Sequence, residues 1–326
     1  MKLLITGYPG WLSNRFLNTL HLYPHGFRSV RCLSQQEAPL PFPDCEIVKG
    51  DILDPGSLEK AVRGCEAVLH TAGILHVRRI RDFYAINRDG TKNLLEASVK
   101  AGVKRFVFIS TNAAQGFCAN AEEMLDEASP CHPEGDYGRS KFGGEQAVQS
   151  FYREGQIETV ILRSSMFYGP PVPPRHVDIF RKIQKGFFPV FGTGEYRRAI
   201  TYIDNLIQAI HLGFQKPKTS GEVYTIIDPV IPTLNQIIDA MGEALGVPVK
   251  RIHLPASLAF IARKVDDVIA ACDRYWMLPH IVGESCRHIA YSITKARNEL
   301  GYTPAVTYRE GYPLAIRWCK EQGLLK

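Results

Sequence analysis

An α/β fold, with a doubly wound parallel sheet and a smaller, mostly helical C-terminal lobe, is predicted by three features of the 326-residue sequence. Short β-rich runs alternate with helical patterns through the first half, the sequence form of βαβ units. Several of those runs are apolar at every position, as expected of strands covered by helices on both faces. At GPPVPPRH, residues 169–176, the alternation stops in a proline-rich segment that opens a different layer.

The elements follow in order. Strands are expected at Lys2 to Ile5, Ser29 to Leu33, Glu46 to Val48, Ala67 to His70, Arg105 to Ile109 and Glu158 to Leu162. The helical patterns between them are Trp11 to Leu20, Gly56 to Val62, Arg81 to Val99 and Arg139 to Arg153. Beyond the proline-rich segment come an amphipathic stretch at Val177 to Gln184, the turn-rich GTGEYRR, a helix at Asp204 to Phe214 and a strand at Glu222 to Ile227 that can return to the sheet. Thr233 to Leu245 and Ala256 to Ala271 read as helical. The domains expected are a nucleotide-binding sheet from 1–168 plus about 199–228, and a discontinuous substrate lobe from about 169–198 and 229–326.

Composition narrows the class. With 45% hydrophobic and 22% charged residues the chain can bury a large core. Net charge is +6, but the basic clusters, Arg78-Arg79 with Arg81 and Arg197-Arg198, are short, which argues against nucleic acid as a partner. The eight cysteines contain no C-x-x-C pair, and with no secretory segment ahead of them they read as reduced thiols of a cytoplasmic protein. No window reaches the roughly 18 apolar residues of a membrane span. Leu254 to Ala262 comes nearest and is broken by Pro255. No histidine has carboxylates at metal-ligand spacing, so no metal is expected; His70 reads as a packed strand residue and His76 as a loop residue able to overhang a site.

Three features carry chemistry. TGYPG at 6–10 ends the first strand and opens a helix, a turn that sets backbone N–H groups and a helix N-terminus against a pyrophosphate. Its G-x-x-G spacing also fits an ordinary βα turn. Asp51 in KGDILD can accept from an adenine amino group with Ile52 covering the ring, or can cap the next helix, a role that suits Asp54 better. Tyr137 and Lys141, in YGRSK, lie four apart on one helical face. A neighbouring cation lowers a phenol pKa and makes the tyrosine a usable acid or base, with the Thr111 hydroxyl at a strand end able to hold the same substrate oxygen.

In order and spacing these motifs resemble the extended short-chain dehydrogenase/reductase family, which includes nucleotide-sugar epimerases and dehydratases, dihydroflavonol reductases and 3β-hydroxysteroid dehydrogenases. The likeness runs through TGYPG, GDILDPGSLEKAVRGCEAVLHTAG, NRDGTKNLLEAS, RFVFISTNAAQG, YGRSK, LRSSMFYGP and TYIDNLIQA to the closing segment SITKARNELGYTPAVTYREGYPLAIRW. It implies a Rossmann-type sheet, with Gly7, Tyr8, Gly10, Trp11 and Leu12 at the pyrophosphate and Asp51 and Ile52 at the adenine. It implies Ala72 and Gly73 beside the ribose, Lys141 on its hydroxyls, and Asn87 with Ser164 to Met166 bordering the nicotinamide. Tyr137 would move the proton and Thr111 polarise the carbonyl, Ser110 being the less suited substitute. A homodimer paired through the helices at 81–99 and 139–153 is expected by the same analogy.

Three departures shape the expected function. Ser13 stands where the family has glycine, and predicts a slightly shifted loop that still binds. The second strand ends in Ser34-Gln35-Gln36 without the acidic residue expected about 20 residues past the loop to bind an NAD ribose. Ser34 and Gln35 can instead donate to a 2′-phosphate, so NADP is favoured over NAD. Met166 replaces an asparagine that nucleotide-sugar enzymes use on a diphosphate, and a thioether lines an apolar pocket. The reading is therefore an NAD(P)-dependent oxidoreductase acting on a secondary alcohol or ketone of a largely apolar small molecule. Phe167, Phe187, Phe188, Phe191 and the stretch from Leu258 to Ala262 agree with a greasy substrate or are core. Arg198, matching a family arginine that touches substrate phosphate, keeps open a nucleotide-sugar epimerase or dehydratase with tightly bound NAD. A non-catalytic cofactor sensor is the remaining alternative, opposed by the intact Thr111, Tyr137 and Lys141 set.

Overall fold

The structure is a computed structural model that describes residues 1–325. Seven strands form one parallel sheet: β1 (Lys2–Thr6), β2 (Ser29–Ser34), β3 (Cys45–Lys49), β4 (Ala67–His70), β5 (Arg105–Thr111), β6 (Glu158–Ser164) and, after three short strands, β10 (Glu222–Ile226). Their order across the sheet is β10-β6-β5-β4-β1-β2-β3, the doubly wound Rossmann-type arrangement in which the chain starts in the middle and winds outward both ways. The strand at 222–226 does return to the sheet, pairing in parallel with β6. Apolar residues alternate to opposite faces. Leu3 and Ile5 join one buried cluster, Leu4 the other, so helices cover both sides.

The expected helices form with small shifts at their ends. The pattern read as Arg81 to Val99 is divided into Ile80–Phe83, a wider-wound turn at Tyr84–Asp89, and Gly90–Lys100. Wider turns of this kind occur where a side chain is needed in a particular place. Here the turn carries Asn87, which is fully buried. The helix of Tyr137 begins at Gly135, four residues before the expected start, and runs to Arg153.

The C-terminal lobe has its own core, built on Phe180, Ile183, Val190, Ile238, Tyr312 and Ile316. It contains two small parallel pairs that sequence patterning did not reveal: β7 (Met166–Tyr168) with β9 (Ile200–Tyr202), and β8 (Phe187–Phe191) with β11 (Lys250–Leu254). Asp228 ties lobe to sheet, accepting from the backbone N–H of Tyr202 and the side chains of Asn205 and Tyr168. Two packed helices, Ala256–Ala271 and Met277–Glu284, complete the lobe. The second of these was not expected.

Candidate active site

The site lies at the carboxyl ends of β1, β4 and β5, beside the point where strand order reverses. Gly7 there has φ +84, and a Cβ would meet Thr71 Oγ1 at 2.7 Å and the Ala72 amide at 2.8 Å, so only glycine fits. Gly10 donates its N–H to Gly7 O and caps the helix Trp11–Thr19, whose first turn has no side-chain cap and no acidic residue. Ser13 does more than tolerate the missing glycine. Fully buried, its hydroxyl lies 3.0 Å from Gly7 O and 2.9 Å from Gly10 O and closes the loop from within.

Other expected cofactor contacts are positioned with varied freedom. Tyr8 and Leu12 are buried core residues, the Tyr8 hydroxyl donating to Pro39 O. Trp11 packs on Phe167, and its Nε1 is buried with no acceptor among the described residues. Asp54 caps the helix Pro55–Val62, as expected. Asp51 accepts from the Leu53 N–H and from Gln35 Nε2, while Ser34 Oγ donates to Gln36 O. Both donors expected to meet a 2′-phosphate are thus already engaged. Ile52 is buried against Gly90. A groove of about 450 Å³, lined by Leu53, Ile74, His76, Val77, Arg78 and Ile86 among others, runs beside this turn. Uncapped N–H groups at Trp11–Thr19, a glycine that no other residue can replace, an orphaned indole N–H and an adjoining groove fit a dinucleotide.

Asn87 organises the loop after β4. It accepts from the Ile74 N–H and donates to Ile74 O and to Ser140 Oγ, and Ser140 in turn donates to Tyr137 O. The loop at Ala72 and Gly73 is so fixed to the Tyr137 helix. His70 is a fully buried strand residue between Thr6 and Thr91, kept neutral by burial, which lowers its pKa to about 3.

The Tyr137 helix starts hard against the end of β5. A Cβ on Gly138 would stand 2.4 Å from Ala113 O, and this approach brings the Tyr137 phenol to the Thr111 hydroxyl. Ser110 is not an alternative to Thr111. Its hydroxyl donates to Glu145, which forms a buried, bidentate pair with Arg163. Ser164 likewise faces backbone, donating to Ser110 O. Lys141 is buried, with Nζ donating to Ile109 O at 2.8 Å and lying 4.0 Å over the Phe108 ring. Burial lowers its pKa to about 7, with Glu145 opposing. Burial raises Tyr137 to about 12; the Thr111 hydrogen bond and then Arg175 act to lower it, and Glu284 to raise it. Lys141, the cation expected to depress the phenol, donates instead to a carbonyl, and Arg175 acts on the phenol in the same sense.

The lobe supplies residues the sequence did not single out. Arg175 lies in the first turn of the helix Pro174–Gln184, and Glu284 ends the unexpected helix; the burial that raises Glu284 is countered by His280 and Arg198. His280 bridges Asp266 at 2.9 Å and Glu284 at 3.4 Å. Arg198 donates to the carbonyls of Glu284 and Ser285. The small cavity of about 30 Å³ that includes Tyr137 is lined by the apolar Ile80, Phe83 and Ala270 and by the polar Asp136, Arg139, Asp266 and His280 among others. None of the apolar residues read as pocket or core lines this cavity. Leu258, Phe260 and Ile261 are exposed, Phe187 is an exposed residue of β8, Phe188 and Phe191 are half-buried strand residues, and Met166 is 51% exposed. Among the described residues no group of His, Cys, Asp and Glu side chains is arranged to hold a metal ion, and no helix is long and apolar enough to cross a membrane.

Comparison with known proteins adds three findings. The model of the NAD dependent epimerase/dehydratase family matches residues 3–226. An uncharacterized protein of Sinorhizobium fredii, y4nL, is 35% identical, covering 98% of this chain and 95% of that one. Two solved enzymes share the fold: a UDP-glucose 4-epimerase from Thermotoga maritima, with UDP-glucose, at 25% identity and TM-score 0.80, covering 99% of each chain; and a dTDP-glucose 4,6-dehydratase from Streptomyces venezuelae, with NAD bound, at 26% identity and TM-score 0.79, covering 100% of this chain and 99% of that one.

Proposed function

The chain belongs to the NAD dependent epimerase/dehydratase family, and from that premise we propose that it is a nucleotide-sugar epimerase working with retained NAD. The observation that carries the reading is the Tyr137 phenol, hydrogen-bonded to Thr111 and one helical turn from the buried Lys141, on the wall of a cavity that Asp136, Arg139, Asp266 and His280 also line. A sugar offers the secondary hydroxyl that this trio can oxidise and the many polar groups that such a lining can bind. The apolar, hydroxysteroid-like substrate expected from Met166 and the phenylalanines has less support. NAD is preferred to NADP because the solved dehydratase holds NAD and because Ser34 and Gln35 are engaged within the chain.

Bound NAD would supply a reversible hydride acceptor, the chemistry no side chain provides. Tyr137, ionised in the loaded site, accepts the proton of the sugar hydroxyl as its carbon is oxidised, and returns that proton after the keto-sugar has turned over in the cleft. Thr111 donates to the sugar oxygen throughout. Lys141 leaves Ile109 O for the ribose hydroxyls, and its charge favours the phenolate. Inverting one carbinol centre asks for no second acid or base, and the residues after Thr111 are Asn112 and Ala113.

A dehydratase is the second reading, favoured by one observation. Glu284 is a carboxyl with a raised pKa whose charge reaches Tyr137, and elimination of water needs a further acid or base. The test is direct. Purified protein is expected to carry NAD and to convert a UDP- or dTDP-sugar to an isomer of unchanged mass; a product lighter by one water selects the dehydratase. Tyr137→Phe should cut turnover by about 10²–10⁴-fold with NAD still retained. Unchanged turnover in that variant would overturn the assignment of Tyr137.

A further inference from the structure

The helices Ala256–Ala271 and Met277–Glu284 have two unlike faces. Inward, Asp266, Tyr275 and His280 line the cavity of Tyr137. Outward, Phe260 is 64% exposed, Val268 66%, Trp276 63% and Leu278 72%, with Ile261 and Ile281 also exposed. Large apolar side chains gathered on two packed helices are not the scattered exposure of an ordinary surface, and they mark an interaction face.

The charges around that face indicate its occupant. The turn between the helices is joined to the segment after β4 by Asp273, which accepts from the Arg81 N–H and pairs with the Arg81 side chain. Arg79, two residues before Arg81, and Arg274, next to Asp273, flank this contact, both exposed and neither with a side-chain partner among the described residues. Lys264 lies 5.8 Å over the Phe260 ring. Every acid of the helix pair is already engaged: Asp266 and Glu284 share His280, Asp267 has Lys264, and Asp273 has Arg81. A second copy using the same face would bring unpaired arginines together and offer them no free carboxylate. Apolar side chains with tryptophan and phenylalanine, rimmed by unpaired basic groups, match a lipid interface bearing negative headgroups.

We propose that the outer face of these two helices docks the protein on an anionic phospholipid bilayer, with the apolar side chains entering the interface and Arg79 and Arg274 meeting the phosphates. Docking is peripheral and needs no spanning helix. It sets the wall of the Tyr137 cavity one helix layer from the bilayer, whatever reaction occurs there.

The test is co-flotation with vesicles of phosphatidylglycerol and phosphatidylcholine against phosphatidylcholine alone. The protein should float with the anionic vesicles, less so as salt rises. Val268→Glu with Leu278→Glu should lower the bound fraction by roughly tenfold with unchanged melting temperature and unchanged turnover in solution. Arg79→Gln with Arg274→Gln, which leaves the apolar face intact, should remove the preference for anionic vesicles. Tyr137→Phe should float as the parent does, which separates docking from the catalytic reading. Absence of flotation, flotation unaffected by either pair of substitutions, or conversion of an oligomer to monomer by the glutamates with flotation unchanged would each overturn the proposal.

Discussion

The cleft has two walls built on different terms. On the sheet side the polar groups are mostly satisfied from within, the buried Arg163 Nη1 being an exception among the described residues. His70 is held by Thr6 and Thr91, Asn87 by Ile74 and Ser140, Arg163 and Ser110 by Glu145, and Lys141 by Ile109 O. On the lobe side the groups that reach Tyr137 come from segments far apart in sequence, and Arg175 has no hydrogen-bond or ion-pair partner among the described residues. The first wall is assembled before any ligand arrives, and the second leaves a charged group open to one. On the proposed function, such a division would let one wall serve different sugars through changes in the other.

The sharpest way to break the sheet wall is through Glu145. It is buried, accepts from Arg163 at 2.7 Å and takes the Ser110 hydroxyl. Glu145→Ala leaves an uncompensated buried guanidinium, which costs about 3–5 kcal/mol, whereas replacing both partners with apolar residues costs far less. The single variant should therefore melt well below the parent, and Glu145→Leu with Arg163→Met should recover most of the loss in a thermal scan. Equal melting of single and double variants would mean that the pair does not hold this wall together.

The same contrast explains what the sequence revealed. The sheet was legible because burial on two faces imposes continuous apolar runs, as in Arg105 to Ile109, and the candidate trio could be picked out because Thr111 ends such a run and Tyr137 with Lys141 share a helical face. The lobe was not. β7 and β9 have three residues each, too few for a period to show, and β8 and β11 carry Pro189 and exposed positions that break alternation. Glu284 sits on an eight-residue helix with Pro279 within it and no buried residue, so no amphipathic stripe marks it. The internal partners of Ser110, Ser34 and Gln35 were hidden for a separate reason. Position along a strand identifies a hydroxyl or amide but not its partner, and partners such as Glu145 and Asp51 come from other elements.

Lys141 is where the walls are joined by a ligand, and pH resolves it. In the ligand-free protein burial holds its pKa at about 7. A ribose accepting from the ammonium favours the charged form, so binding raises that pKa and takes up a proton between the free and the bound value. Linkage sets the sign: NAD affinity should fall as pH rises above the free value, by up to about tenfold per unit, with an uptake approaching one proton. Isothermal titration in two buffers of different ionisation enthalpy measures this directly. Using Tyr137→Phe as background removes the phenol from the count, and adding Lys141→Met should abolish the uptake. Uptake that persists without Lys141 would assign the proton elsewhere.

The smallest expected effect belongs to the lobe wall. Arg175 favours the Tyr137 phenolate from across the cleft, while Glu284 opposes it. Because Arg175 stands partly in solvent, its influence is screened, and interactions of this kind are worth up to about 1 kcal/mol, or several-fold in rate. Arg175→Met should shift the acidic limb of the turnover profile to higher pH, since a phenol with less positive charge nearby ionises later. Glu284→Gln should shift the same limb the other way. A purely structural role for either residue lowers turnover at every pH alike, so the direction of the shift, read in both variants with NAD bound, decides whether the lobe tunes the proton carrier or only encloses it.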